Sequence, residues 1–256
     1  MAFRNILVEH DGTTALVTLN RPERRNALSL EMLQEVTDAF RALGPEVRVA
    51  VLRGNGPAFS AGHDLSEMQA RTPAFYRQLF EACTTLMETL QDLAQPVIAQ
   101  VHGLATAAGC QLAASCDIVV AAQEARFATP GVRIGLFCST PMVALSRAVG
   151  SKRAMEMLLT GDPISATEAL QAGLVSRVVP ALELESSVRG LAAKIAASSP
   201  SVVAIGKRAF WRQLQMPQPL AYDYAQDVMS LNAAAADAQE GMTAFLEKRA
   251  PNWHGN

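Results

Sequence analysis

Residues 6–10 and 15–20 read as two short apolar strands, and Asp11-Gly12 between them supplies a hairpin turn. Pro22 interrupts the pattern. Apolar residues then recur at 30, 33, 36 and 40, the spacing of one helical face, with Ser29 as the cap and Glu31 in the first turn. Residues 47–52 form the next apolar run, closed by Gly54-Asn55-Gly56-Pro57. The pattern predicts a long helix over 72–93 and a buried strand over 96–101. It then predicts a helix entered through the small residues 106–109 and ending at Ser115, and a strand over 118–122. This alternation predicts an α/β core. Beyond Pro141 the chain turns helical. Ser151 and Ser165 are cap candidates, Ser165-Ala166-Thr167-Glu168 is a capping-box pattern, and Gly173 is a stop signal. Residues 182–197, 202–214 and 220–239 are helical by period and alanine content. Ser198-Ser199-Pro200 punctuates the chain, so we expect a core over 1–195 and a helical region over 196–256. The apolar faces of such terminal helices need partners, which predicts an oligomer.

The chain has 256 residues, 50% hydrophobic and 18% charged, which suits one or two compact domains around a large core. Net charge is -2, no Lys/Arg block is present, and Tyr and Trp are scarce, which argues against a nucleic-acid partner. No run reaches the length of a membrane span. The opening MAFRNILVEHDG has neither a signal-peptide nor a transit pattern, so the expected location is the cytoplasm. Cys83, Cys110, Cys116 and Cys138 form no CxxC pair, and His10, His63, His102 and His254 are scattered. We therefore expect no metal site and no disulfide framework, but reduced thiols buried in the core.

Two turns carry the candidate chemistry. In Phe59-Ser60-Ala61-Gly62-His63-Asp64-Leu65 a strand gives way to small residues and a helix begins near Leu65. In Ala107-Ala108-Gly109 a helix opens directly after a strand. The first N–H groups of such a helix lack intrahelical partners and sit at the positive end of its dipole. Two N–H groups converging on one carbonyl oxygen make an oxyanion hole. Tight packing alone also explains either turn.

These turns sit among further motifs. Leu19-Asn20-Arg21-Pro22 leads into Asn26-Ala27-Leu28, and Pro96-Val97-Ile98-Ala99 runs into Gly103 and on to Gly109-Cys110 and Cys116-Asp117. Leu159-Thr160-Gly161, Ala172-Gly173-Leu174-Val175 and the closing stretch from Gly241 to Arg249 follow in order. Together they resemble the crotonase (enoyl-CoA hydratase/isomerase) superfamily over nearly the whole chain. Ala107-Ala108-Gly109-Cys110-Gln111-Leu112, Phe127-Ala128-Thr129-Pro130-Gly131-Val132 and Gly135-Leu136-Phe137-Cys138-Ser139-Thr140-Pro141 are unusual within it and mark one branch.

The resemblance implies a crotonase-like spiral of ββα turns with a C-terminal helical trimerisation region, assembled as a homotrimer or a dimer of trimers. It implies a coenzyme A thioester as substrate or ligand and no tightly bound cofactor. The thioester oxygen would accept the backbone N–H groups of His63 and Ala108, where Ala108 replaces the family's usual glycine. Arg24, Arg25, Ala27, Ala61, Gly62, Asp64, Leu65, Cys138, Phe245 and Lys248 would line the CoA and acyl positions, with Lys248 reaching the CoA phosphates, often from a neighbouring subunit. The variable stretch 68–80 would form the far wall of the acyl pocket.

The two glutamates that hydratases of this family use fall here at Gln111 and Gly131. Gln cannot titrate and glycine has no side chain. Acids used by other members fall at Cys138 and Ser139, and the runs 103–116 and 127–141 contain no Asp or Glu. Each positioned acid or base contributes roughly 10²–10⁴-fold, so efficient hydration is not expected. Two readings follow: an enzyme acting on an acyl- or enoyl-CoA by hydration, isomerisation or a related enolate reaction, and a non-catalytic acyl-CoA binder or regulator. In some relatives bicarbonate fills the position of Gly131, which suggests an anion as a borrowed base there. The His63 imidazole is expected to be hydrogen-bonded locally at the helix entry, and Asp117 to stabilise the turn before its strand.

Overall fold

The computed structural model describes residues 3–255. Its strands are β1 (Ile6–Asp11), β2 (Thr14–Leu19), β3 (Val49–Gly54), β4 (Val97–Val101), β5 (Leu104–Thr106), β6 (Ile118–Ala122), β7 (Arg126–Ala128), β8 (Ile164–Ser165) and β9 (Arg177–Val179). The helices of the first two thirds are α1 (Leu30–Arg41), α2 (Leu65–Met68), α3 (Pro73–Asp92), α4 (Ala108–Ser115), α5 (Pro141–Ala148), α6 (Ser151–Thr160) and α7 (Ala166–Ala172). Those of the last third are α8 (Leu184–Ala196), α9 (Pro200–Gln213), α10 (Gln218–Ala234) and α11 (Ala236–Leu246).

A six-stranded sheet has the order β1-β2-β3-β4-β6-β9, parallel except for the β1–β2 hairpin at its edge. The register Asp11↔Thr14 makes Gly12 and Thr13 the hairpin loop, with Gly12 at φ +60. A small sheet, β5-β7-β8, stacks alongside. β4 passes into β5 and then α4, and β6 passes into β7 and then α5, so each turn of the chain lays one strand in each sheet and then a helix. This is the expected ββα spiral. The Ser60↔Ala105 bridge adds the turn after β3 to the small sheet.

Strand alternation sorts the side chains. Ala50 and Leu52 of β3 face the main core with α1, α3 and α4. Val49 and Val51 face the other way, under Leu184, Val188, Leu191 and Ala192 of α8. Leu28, Phe59 and Phe127, which flank the candidate turns, are fully buried. Each such side chain contributes about 1.5–3 kcal/mol, so the turns are pinned to the core.

Several predicted elements hold. Ser29 caps α1 by accepting the Met32 N–H at 3.2 Å, the long helix expected over 72–93 is α3 with Thr72 as its cap rather than its first residue, and Ser165 with Glu168 forms the capping box of α7. Ser151 does not cap: Gly150 takes that position and Ser151 is the first residue of α6. The single helix expected over 220–239 is instead α10 and α11, broken at Ala235 with ψ 151. The cause is tertiary. Asp237 is fully buried, accepts the Ser199 and Ser201 hydroxyls, and takes the His254 and Gly255 N–H groups at 2.7 and 3.1 Å.

Asp117 performs the expected structural task and more. Its carboxylate accepts the Val97 N–H at 2.7 Å and the Trp211 indole N–H at 2.8 Å, and pairs with Lys207 at 2.7 Å. Lys207 Nζ also donates to the Leu90 and Gln95 carbonyls at 2.6 and 2.9 Å. Burial pushes the Lys207 amine below its usual range, with Asp117 opposing the shift. Helix α9 is thereby locked onto the spiral.

Candidate functional site

The first turn is held from both sides by backbone bonds. Ser60 N–H donates to Leu104 O at 3.1 Å and Thr106 N–H to Ser60 O at 3.0 Å. Leu28 N–H donates to Gly62 O at 2.7 Å and Asp64 N–H to Leu28 O at 3.1 Å, which leaves the His63 N–H between them without an acceptor among the described residues. In the second turn Ala107 N–H donates to Ala128 O at 2.9 Å. Ala107 then adopts φ 49 and ψ -117, a conformation that glycine takes more readily. Gln111 N–H bonds Ala107 O at 3.0 Å, and the Ala108 N–H at the first position of α4 also has no acceptor among the described residues.

The two turns touch at Gly62. A Cβ there, on a backbone with φ +87, would lie 2.9 Å from both Thr106 O and Ala107 Cβ, and 3.3 Å from the Ala108 nitrogen. Only glycine lets the turns approach so closely. The result is a pair of free backbone donors, one at a helix N-terminus, which suits a carbonyl oxygen gaining negative charge.

The flanking walls differ from expectation in two ways. The first is at Gly131, which is buried. A Cβ built on it would collide with the Leu136 carbonyl oxygen and come within 2.8 Å of Cys138 Sγ. Leu136 N–H donates to Gly131 O at 2.9 Å and Gly131 N–H to Cys138 Sγ at 3.3 Å, so the segment is tied down on both sides. A side chain at this position would therefore have to displace the Leu136 carbonyl. The second is at His63. Its imidazole meets Phe80 of α3 edge-on, with ring centroids 5.4 Å apart. Both ring nitrogens are buried, and neither meets a partner at full hydrogen-bond geometry. Burial lowers its pKa to about 4, and a hydrogen bond with the Leu28 backbone opposes that shift.

Gln111 is buried on α4, its side-chain oxygen 3.8 Å from the Cys83 thiol of α3. Burial raises all four thiols, those of Cys83 and Cys110 to about 12, so none resembles an activated nucleophile. For Cys138 the Gly131 N–H opposes that rise. Asp64 caps α2 through Ser66 and pairs with Arg21 at 3.0 Å, which commits its carboxylate to the turn. Glu67 is also committed, accepting the Leu30 N–H at 2.9 Å. Ala61 and Ala27 are half-buried beside the first turn, while Arg24, Arg25 and Leu65 are exposed around it. Phe245 and Lys248 are exposed at the end of α11, which packs on α9 and α10. The structure brings His63 to Ala108 through Gly62, places Gln111 on the same helix as Ala108, and brings Gly131 to Cys138, while Phe245 and Lys248 are exposed at and just beyond the end of α11. Two cavities of about 540 and 560 Å³ lie under the C-terminal helices and touch none of these residues.

Thr129 was not singled out by sequence. It is fully buried beside Gly131, and its hydroxyl has no partner. An ordinary Thr-Pro pair carries no signal of this.

The family model for enoyl-CoA hydratase/isomerase matches residues 9–256. The chain belongs to the enoyl-CoA hydratase/isomerase family. It is 49% identical over 251 residues to enoyl-CoA hydratase domain-containing protein 3, mitochondrial, of Xenopus laevis, covering 97% of this chain and 85% of that one. An enoyl-CoA hydratase structure from Mycobacterium smegmatis superposes with a TM-score of 0.96 at 48% identity, covering 98% and 99% of the two chains. Human enoyl Coenzyme A hydratase domain-containing protein 3 gives 0.95 at 46%, covering 98% and 100%. These likenesses bear out the family and its fold, including the branch marked by the unusual motifs. The cytoplasmic expectation is overturned by the naming of relatives: those from Xenopus laevis, human and Dictyostelium discoideum are named mitochondrial. The family acts on CoA thioesters without a tightly bound cofactor.

Proposed function

We propose that this protein binds acyl-CoA thioesters and polarises the thioester carbonyl between the His63 and Ala108 N–H groups. The observation that carries this reading is the pair of unpartnered backbone donors on turns that meet at Gly62. Arg24 and Arg25 are exposed beside the first turn and suit CoA phosphates. Ala27, Ala61 and Leu65 supply the adjoining surface. Phe245 and Lys248 serve the same ligand from a neighbouring subunit, in a homotrimer or dimer of trimers built through residues 196–256. The exposure of Phe210, Leu214, Leu220, Met229 and Leu231 on α9 and α10 and beside them supports that assembly.

Hydration in the usual manner is not part of this reading. Gln111 offers only hydrogen bonds, Gly131 has no room for a carboxylate, and Asp64 and Glu67 are committed elsewhere. An oxyanion hole alone is worth about 10²–10³-fold per donor, so a residual enolate-type reaction remains the first reading. A non-catalytic acyl-CoA binder is the second, favoured by the closure of the Gly131 position. Calorimetry with butyryl-CoA and CoA, beside turnover of crotonyl-CoA, tests both. Thioester binding with only background hydration is expected. Failure to bind any thioester would refute the reading, and hydration at rates typical of enzymes, 1–10³ s⁻¹, would refute the loss of acid–base function.

A further inference from the structure

Among the described residues, the non-glycine positions with a left-handed backbone are Arg25, Asn26, Ala70, Ala107 and Lys248. Arg25, Asn26 and Ala107 flank the two candidate turns, whereas Lys248 lies just beyond α11 at φ 56. A lysine there gives up stability that glycine, the usual residue at such a helix end, would keep. Its place is nonetheless fixed from both sides. Lys248 N–H donates to Phe245 O at 3.2 Å and Arg249 N–H to Ala244 O at 3.0 Å, so the chain reverses at Lys248.

The reversal is pinned by Glu240 of α11. Its carboxylate takes the Arg249 guanidinium in a fork at 2.7 and 2.9 Å and also accepts the Asn252 N–H at 2.7 Å. Such a bidentate pair fixes direction as well as distance. Further along, the Trp253 indole N–H reaches Ala197 O at 2.8 Å, and Asp237 holds the His254 and Gly255 N–H groups. Glu247, the neighbour of Lys248, also pairs with Arg249, at 2.7 Å. One arginine thus takes both glutamates of this segment, and the Lys248 amine has no ion-pair partner among the described residues. The arrangement presents an exposed ammonium from a strained, anchored backbone.

Resting on the acyl-CoA reading above, in which Lys248 serves the ligand's phosphates, we propose that Glu240 is a positioning residue: its fork onto Arg249 sets where the Lys248 ammonium meets those phosphates. A carboxylate repels a phosphate group, so the gain that Glu240 brings to binding passes through the cations it orients. Residues that act through one contact are non-additive when removed together, which separates positioning from general support of the fold.

The test is a double-mutant cycle by calorimetric titration of the full-length protein with butyryl-CoA. It uses Glu240→Gln, Lys248→Met and the two together, each first checked for a cooperative melt and for the sedimentation of the parent. Glu240→Gln keeps an oxygen for the Asn252 N–H and loses the charged fork. Each single change is expected to weaken binding about threefold or more, and the double variant should bind as Lys248→Met does. Arg249→Gln breaks the fork from its other end. It takes the place of Glu240→Gln in the cycle, with the same expectation, if that variant does not melt cooperatively. Losses that multiply in the double variant would show general support of the fold and overturn the proposal. So would either single variant binding like the parent. Absence of binding by the parent itself would instead overturn the acyl-CoA reading.

Discussion

Gly131→Glu puts back the residue type that hydratases of the family carry at this position, and the structure predicts that it will not restore hydration. The Cβ alone collides with the Leu136 carbonyl oxygen and sits 2.8 Å from Cys138 Sγ. The segment cannot swing away freely, because Leu136 N–H is bonded to Gly131 O at 2.9 Å and Gly131 N–H to Cys138 Sγ at 3.3 Å. Overpacking a tight site costs about 1–3 kcal/mol, and breaking these bonds adds about 1 kcal/mol. A total of about 2–4 kcal/mol corresponds to a melting temperature lowered by roughly 4–16 °C for a chain of this size. Gly131→Ala separates sterics from charge: it carries the whole Cβ collision and should lose most of the same stability. Adding Cys138→Gly relieves the sulfur contact but not the backbone one, so rescue should be partial. Circular-dichroism melts measure the first effect, and the loss of enoyl-thioester absorbance with crotonyl-CoA measures the second. A Gly131→Glu protein that melts within about a degree of the parent and hydrates crotonyl-CoA would refute the reasoning.

Three further outcomes follow from the same structure. His63 has a folded pKa of about 4 against an ordinary 6.5, so between these pH values the unfolded chain binds a proton that the folded chain does not. Stability from this group is therefore present above pH 6.5 and is lost as pH falls toward 4. The loss amounts to roughly 3–4 kcal/mol for a pKa lowered from 6.5 to about 4; His63→Leu should flatten that part of the urea-measured pH profile. Near pH 7 the same variant should gain stability of about 1–3 kcal/mol by removing two unpartnered polar atoms, and a lower melting temperature would count against their being unsatisfied. Gly62→Ala forces a side chain into a φ of +87 and against Thr106 O, so acyl-CoA affinity should drop about tenfold or more as the Ala108 N–H is displaced; calorimetry checks it. Lys207→Met leaves the Asp117 carboxylate without its cation in a buried setting and should cost about 3–5 kcal/mol in denaturant unfolding, and a loss below about 1 kcal/mol would contradict the lock.

Much of this molecule is readable from local pattern. Caps at Ser29, Thr72 and Ser165 act within three residues, so the sequence nearby contains all the information they need. The two oxyanion turns are legible for a related reason: small residues between a strand and a helix leave backbone donors whatever surrounds them. The misreadings share a different cause. The break at Ala235 is set by Asp237 reaching Ser199, Ser201 and the backbone of His254 and Gly255, partners 17–38 residues away. At Gly131 the lack of a side chain suggested space, whereas the chain from Leu136 to Cys138 folds back over it, and that return has no periodic signature. The state of His63 depends on Phe80, presented by a helix whose face the local sequence of the turn does not encode.

On the proposed reading, the two halves of the site have different physical requirements. Carbonyl polarisation would rest on backbone N–H groups fixed by Gly62, Ala107 and the β-bridges around them, and would not depend on the side chains of Gln111 or Cys138. Proton handling needs a titratable side chain with room to reach the α-carbon, and here the space at Gly131 is taken by the protein itself. On that reading the scaffold would keep its affinity for a thioester carbonyl while lacking acid–base catalysis worth roughly 10²–10⁴-fold per group. It also concentrates unsatisfied polar atoms at His63 and Thr129, which lower stability unless a ligand meets them.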